Sequence, residues 1–131
     1  AWDLAAGLYL ATAVLADPTG YGRILRDAGG GFSAIIEQKD AHGGQLQVRE
    51  VNPSYYCFRS DRLFAALAAV QNDNSQGEYY LTDVPALLKN RQSRIALLDE
   101  VPAQDVMSIN TPEQLEAVDA ILRRRVGEIS E

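Results

Sequence analysis

Apolar residues fall along this chain in short runs separated by glycine, proline and small polar clusters. That punctuation marks strands and helices in alternation. The run GLYLATAVLA, residues 7–16, has strand length and contains β-branched and aromatic members. DPTGYG ends it. RILR, DAGGG and FSAIIEQ read as two strands around a glycine turn. QLQVREVN alternates Leu46, Val48 and Val51 against Gln45, Gln47 and Arg49, which predicts a strand with one buried face. SYYCF continues in extended form, and RIALLDEV predicts a further strand.

Helices are expected in three places. Ser60 is placed to cap one that carries Leu63, Leu67 and Val70 on one face. VPALLKN follows with Thr82 or Asp83 as its cap, and Pro85 suits a first turn that has spare N–H groups. NTPEQLEAVDAILRRR has the fullest signature, with Thr111 as cap, Pro112 at the start and Gln114 completing a capping box. Leu115, Val118 and Leu122 mark its expected buried face, and the helix is predicted over 111–127, leading toward a linker. The interspersed elements predict a layered α/β fold with a mixed sheet and flanking helices. No internal repeat or low-complexity linker interrupts it, so 1–131 reads as one domain or part of one.

Composition narrows the function classes. A length of 131 residues, 47% of them hydrophobic and 23% charged, supports a core. A net charge of -6 argues against a nucleic-acid partner, and the basic cluster Arg123 to Arg125 reads as a solvated helix end. No run has the length and apolarity of a membrane span. The single cysteine, Cys57, excludes an internal disulfide and reads as a buried, inert thiol; the single histidine, His42, sits in a glycine-rich turn and reads as a surface residue. The chain opens AWDLAAG without a methionine, which fits either a processed chain or a piece of a longer one.

Conventional catalytic motifs are missing. GGG at 29–31 precedes a strand rather than a helix and reads as a hairpin turn, not a phosphate loop. Polar residues at strand and helix ends remain: Gly22, Glu37, Asn52, Tyr80, Thr82 and Asn110. Strand ends are where open α/β sheets place ligands. Glycine allows close backbone approach, a carboxylate accepts hydrogen bonds from sugar hydroxyls, and asparagine offers donors and acceptors together. Taken singly, each reads equally as a turn or cap residue.

The segments GYGRI, IIEQKDA, REVN, QGEYYLTDV and INTPEQL, in this order, resemble the second half of the uridylyltransferase domain of bacterial N-acetylglucosamine-1-phosphate uridyltransferase. In that family the domain is usually fused to a glucosamine-1-phosphate acetyltransferase. The resemblance implies the C-terminal half of a Rossmann-like nucleotidyltransferase domain in a cytoplasmic protein. The family reaction joins UTP and N-acetylglucosamine 1-phosphate into UDP-N-acetylglucosamine, with Mg²⁺ stabilising the phosphates. By resemblance Gly22 gives backbone contact to the sugar, Glu37 binds its hydroxyls and Asn52 contacts it. Tyr80 and Thr82 border the N-acetyl sugar and its phosphate, and Asn110 helps hold a Mg²⁺ shared with the missing half. If QGEYYLTD is extended, Tyr79 and Tyr80 point to opposite faces, one into the core and one toward the ligand.

Two departures stand near this presumed site. The family pattern N-x-G is NPS here, with Pro53 and Ser54, and a glycine expected before IN is Ser108. The family's glycine-rich nucleotide loop, catalytic lysine and uracil-binding residues have no counterpart in this sequence. The chain is therefore expected to be inactive alone, and to self-associate or pair with a missing N-terminal half. The alternative is a non-catalytic sugar-nucleotide-binding or interaction domain derived from the same family.

Overall fold

A computed structural model of the chain describes residues 5–99, 101–109 and 111–129. Contacts gather into two compact units, one ending at Val101 and the other beginning at Pro102.

The first unit holds seven strands among the described residues. They are β1 Ala6–Ala11, β2 Ala13–Val14, β3 Gly22–Arg26, β4 Phe32–Ile36, β5 Glu50–Asn52, β6 Tyr56–Phe58 and β7 Arg94–Leu98. The predicted run 7–16 divides at Thr12, and its two parts join different sheets. β1 is the centre of a three-stranded sheet, β6-β1-β7, antiparallel to β6 and parallel to β7. β2 lies at the edge of a four-stranded antiparallel sheet, β2-β5-β3-β4. A mixed α/β architecture with flanking helices is thus present, with β1–β7 the parallel pairing among the described strands.

The glycine turn joins β3 to β4 as predicted. Asp27 Oδ1 accepts from the N–H groups of Gly29 (3.1 Å) and Gly31 (3.0 Å), and Gly30 takes φ of 79°. Lys89 reaches back to Asp27 Oδ2 at 2.8 Å, fastening the hairpin to α2, Val84–Asn90. Arg26 grips Glu50 through two 2.7 Å bonds and ties β3 to β5.

Four expectations change. The alternation at 45–49 belongs to a 3₁₀ turn, Gly43–Gln47, and only Glu50–Asn52 forms a strand. Gly43 at φ of 51° bends the chain, and Gln45 accepts the His42 N–H at 2.9 Å, so a local cap replaces strand pairing. The helix α1, Ser60–Leu67, has Arg59 rather than Ser60 at its N-cap position and no side-chain cap bond. Its inward face is Leu63, Ala66 and, just past its end, Val70; Leu67 is exposed. Cys57 is exposed, because β6 is an edge strand on which Tyr56 and Phe58 take the core side and Cys57, opposite Tyr9, takes the other. His42 is exposed, as expected.

The core of this unit gathers Leu8, Leu10, Ile24, Phe32, Ile35, Val84 and Leu88, with Tyr56, Phe58 and Ile95 packed against it. Apolar side chains from both sheets and both helices meet there, and each fully buried one contributes about 1.5–3 kcal/mol.

The second unit holds a 3₁₀ turn, Ala103–Asp105, and the helix α3, Pro112–Ile129. The expected capping box is present: Gln114 N–H donates to Thr111 Oγ1 at 3.3 Å and Thr111 N–H donates to Gln114 Oε1 at 3.2 Å. Leu115 and Leu122 are exposed, against the expected buried face, and Val118 is half-buried. A 3₁₀ turn and one helix offer little apolar surface within their own unit to cover that stripe. Of the arginine cluster, Arg123 pairs with Asp119 at 2.6 Å and Arg125 with Asp105 at 2.5 Å. No described helix is long and apolar enough to cross a membrane.

Candidate functional site

The site is built outward from the end of β4. Glu37 directly follows the last residue of that strand, and the β3–β4 register sets Arg23 against Ile36. Gly22 therefore lies beside the Glu37 carboxylate. A methyl group at Gly22 would stand 3.4 Å from each Glu37 carboxylate oxygen and 3.1 Å from Ile35 Cγ2. On its other side Gly22 pairs with Asn52, the last residue of β5.

Buried Arg23 and Gln38 hold this corner in place. Gln38 Oε1 accepts from Arg23 at 2.7 Å and from the Gly20 N–H at 3.1 Å, while Arg23 also donates to the Tyr21 carbonyl. The GYGR turn is thereby locked onto the EQKDA turn.

Thr82 and Tyr80 arrive from the far side of the sequence. Thr82 lies in a 3₁₀ turn, Leu81–Asp83, that leads into α2. Its hydroxyl donates to Glu37 Oε1 at 2.8 Å rather than capping the helix. Asp83 takes the N-cap position without a side-chain cap bond. Tyr80 is half-buried and borders both clefts of the region, whereas Tyr79 is 72% exposed. Neither tyrosine enters the core, because QGEYY is a loop ending in a turn rather than a strand of fixed alternation.

Two bonds fasten that loop to the EQKDA turn, and Asn74 braces it from within. Asp40 Oδ1 accepts the Ser75 N–H at 3.0 Å, and Lys39 donates to Gln76 Oε1 at 2.6 Å. Asn74 Oδ1 accepts from Gln76 N–H (3.1 Å) and Glu78 N–H (3.2 Å). A cleft of about 110 Å³ runs between Glu37, Asp40, Tyr80 and Thr82. A second of about 220 Å³ is lined by Gly20, Glu37, Lys39, Gln76 and Tyr80. Glu37 and Tyr80 belong to both.

Electrostatics follow from this crowding. Burial, joined by the charges of Asp73, Glu37 and Asp40, pushes the Asp83 carboxyl up. Burial, with Asp40, Glu78 and Glu37 adding to it, pushes the Tyr80 phenol up. Bonds from Ser75 hold Asp40 below the usual carboxylate range. The walls are rich in hydrogen-bond acceptors, which matches a ligand that brings hydroxyl donors.

Asn52 is almost fully buried. Its Nδ2 donates to Tyr56 Oη at 2.7 Å and its Oδ1 accepts the Ser54 N–H at 3.0 Å. Pro53 permits this, because it favours an extended Asn52, and Asn52 is in a strand. Ser54 then takes φ of 65°, in the left-handed region that favours glycine. The serine therefore stands in a backbone conformation that would suit the glycine of N-x-G. Ser54→Gly is expected to be more stable than Ser54→Ala by about 1 kcal/mol, since both lose the hydroxyl and only glycine relieves the strain. Urea unfolding of the two variants measures it, and equal midpoints would remove the strain.

Five of the six expected residues, Gly22, Glu37, Asn52, Tyr80 and Thr82, thus gather at one end of the first unit. Asn110 lies outside the described residues. Among the described residues no group of three or more His, Cys, Asp or Glu side chains is placed to hold a metal ion. Sequence reasoning passed over Gln38, Lys39, Asp40, Asn74 and Tyr56. EQKDA carried a signal for three of them, being a run of polar residues directly after a buried strand.

The fold and the site define a mixed α/β protein whose polar cluster collects at strand ends. This chain matches a partial region of the bifunctional protein GlmU. It is 40% identical over 124 residues to the GlmU of Clostridium botulinum (strain Loch Maree / Type A3), covering 92% of this chain and 27% of that protein. Identity is 42% over 115 residues with the Alkaliphilus metalliredigens protein and 45% over 115 residues with that of Heliobacterium modesticaldum, each covering 88% of this chain and 25% of the relative. The chain spans about a quarter of the length of the curated relatives it matches. These matches bear out the resemblance read from the motifs. No family model matches the chain.

Proposed function

We propose that this chain is the sugar-phosphate-binding half of a Rossmann-like nucleotidyltransferase domain. The reaction it serves makes UDP-N-acetylglucosamine from UTP and N-acetylglucosamine 1-phosphate in the cytoplasm. The observation that carries this reading is the gathering of Gly22, Tyr80 and Thr82 around the Glu37 carboxylate, with Asn52 paired to Gly22 alongside. Glu37 would accept sugar hydroxyls with one oxygen already oriented by Thr82. Gly22 leaves the space and backbone access beside it, and Tyr80 supplies a wall.

Nucleotide chemistry lies elsewhere in this reading. The sequence lacks the lysine and glycine-rich loop that would neutralise the triphosphate, so transition-state charge has no preorganised partner here. Mg²⁺ would be shared with a missing N-terminal half. The three-stranded sheet ends on β6 and β7, edges suited to pairing with that half or to self-association.

Ligand-observed NMR with UDP-N-acetylglucosamine tests the reading. Saturation transfer to the sugar and N-acetyl protons is expected with the wild-type chain. Glu37→Ala is expected to weaken binding at least about 10-fold, because hydrogen bonds to a charged group are lost. Absence of transfer with the wild-type chain at millimolar ligand would overturn the assignment. The same chain given UTP, Mg²⁺ and N-acetylglucosamine 1-phosphate should release pyrophosphate no faster than the buffer.

A further inference from the structure

We propose that Tyr56 is a positioning residue of this site, fixing the Asn52 amide through the 2.7 Å bond between Asn52 Nδ2 and Tyr56 Oη. The inference rests on the sugar-binding reading above and names how one of its residues is held.

Asn52 could sit in either of two amide orientations in a polar corner. Two neighbours decide which one. The Ser54 N–H can only donate, so it requires the amide oxygen on its side, 3.0 Å away. Tyr56 Oη then receives the amide nitrogen. An asparagine side chain has two donor hydrogens and two acceptor lone pairs. One of each is spent on these neighbours, leaving one N–H and one lone pair for a ligand. A sugar hydroxyl both donates and accepts, and that remainder matches it.

Tyr56 is itself well fixed. It begins β6, pairs with Leu10 of β1, packs against the hydrophobic core and lies 5.3 Å from the Phe58 ring, tilted by 31°. Its hydroxyl therefore reaches Asn52 from a ring that the core immobilises. Burial pushes the Tyr56 phenol up, with the charge of Glu37 adding to it and the bond from Asn52 opposing it.

The test compares Tyr56→Phe, which keeps the ring and removes only Oη, with the wild-type full chain. Affinity for UDP-N-acetylglucosamine is expected to fall about 5- to 10-fold, the weight of one neutral hydrogen bond. The ¹H–¹⁵N signals of the Asn52 side-chain amide should move in the unliganded protein. Tyr56→Phe should add nothing further in an Asn52→Ala background, because it acts through that amide. Unchanged affinity, an additive loss in the double variant, or a Tyr56→Phe chain that fails to fold would each overturn the inference. A wild-type chain that does not bind overturns the site reading, and this inference with it. Binding by wild type with equal binding by Tyr56→Phe overturns this inference alone.

Discussion

Gly22→Val should abolish UDP-N-acetylglucosamine binding and destabilise the chain by about 1–3 kcal/mol, the usual cost of overpacking a well-filled position. The first added carbon already stands 3.1 Å from Ile35 Cγ2 and 3.4 Å from both Glu37 oxygens. Two further methyl groups have to enter the same space. Ile35 is nearly fully buried and backed by the core, so it yields little. The carboxylate is the softer neighbour, and moving it breaks the 2.8 Å bond from Thr82. Loss of binding therefore comes from displacement of Glu37, not from unfolding. Binding measured by NMR well below the melting temperature separates the two effects. A valine variant that binds as wild type does would show that the ligand does not lie against this face of Glu37.

The parts of this site that sequence revealed are those whose chemistry is local. A glycine before a buried strand, an acid after one and a threonine before a helix each stand out from their immediate neighbours. The same is true of the fold: the Asp27 turn and the Thr111–Gln114 box are completed within a few residues, and both appeared where expected. What stayed hidden depends on distant pairing. Asp40 matters because Ser75 lies against it, and Tyr56 because Asn52 does. The alternation at 45–49 misled because Gly43 and the Gln45 cap satisfied the backbone locally, leaving no need of a partner strand. Cys57 looked buried because its neighbours are apolar, but only every second residue of an edge strand faces the core. Even the NPS departure resolves this way. The left-handed backbone at Ser54 accompanies the Asx turn that Asn52 closes, a pairing the residue type alone does not announce.

Leu8→Ala should cost about 2–5 kcal/mol, measured by urea unfolding, while leaving sugar-nucleotide affinity within about twofold at a temperature where the variant is folded. Leu8 is fully buried on the central strand of the three-stranded sheet, opposite Phe58 on one side and Ile95 on the other. Truncation there loses apolar burial and leaves a cavity that two hydrogen-bonded neighbours prevent from closing. Glu37, Gly22 and Asn52 belong instead to the four-stranded sheet or its ends. The two sheets share the core, but the site's polar bonds run among β3, the end of β4, β5, the turn before α2 and, through Tyr56 alone, the start of β6. Stability and binding should then separate: Leu8→Ala moves the first, Tyr56→Phe the second and Gly22→Val both. If Leu8→Ala lowers affinity as much as stability, the site is held by the core as a whole. The local bonds from Thr82, Gln38 and Tyr56 would then not be what positions it.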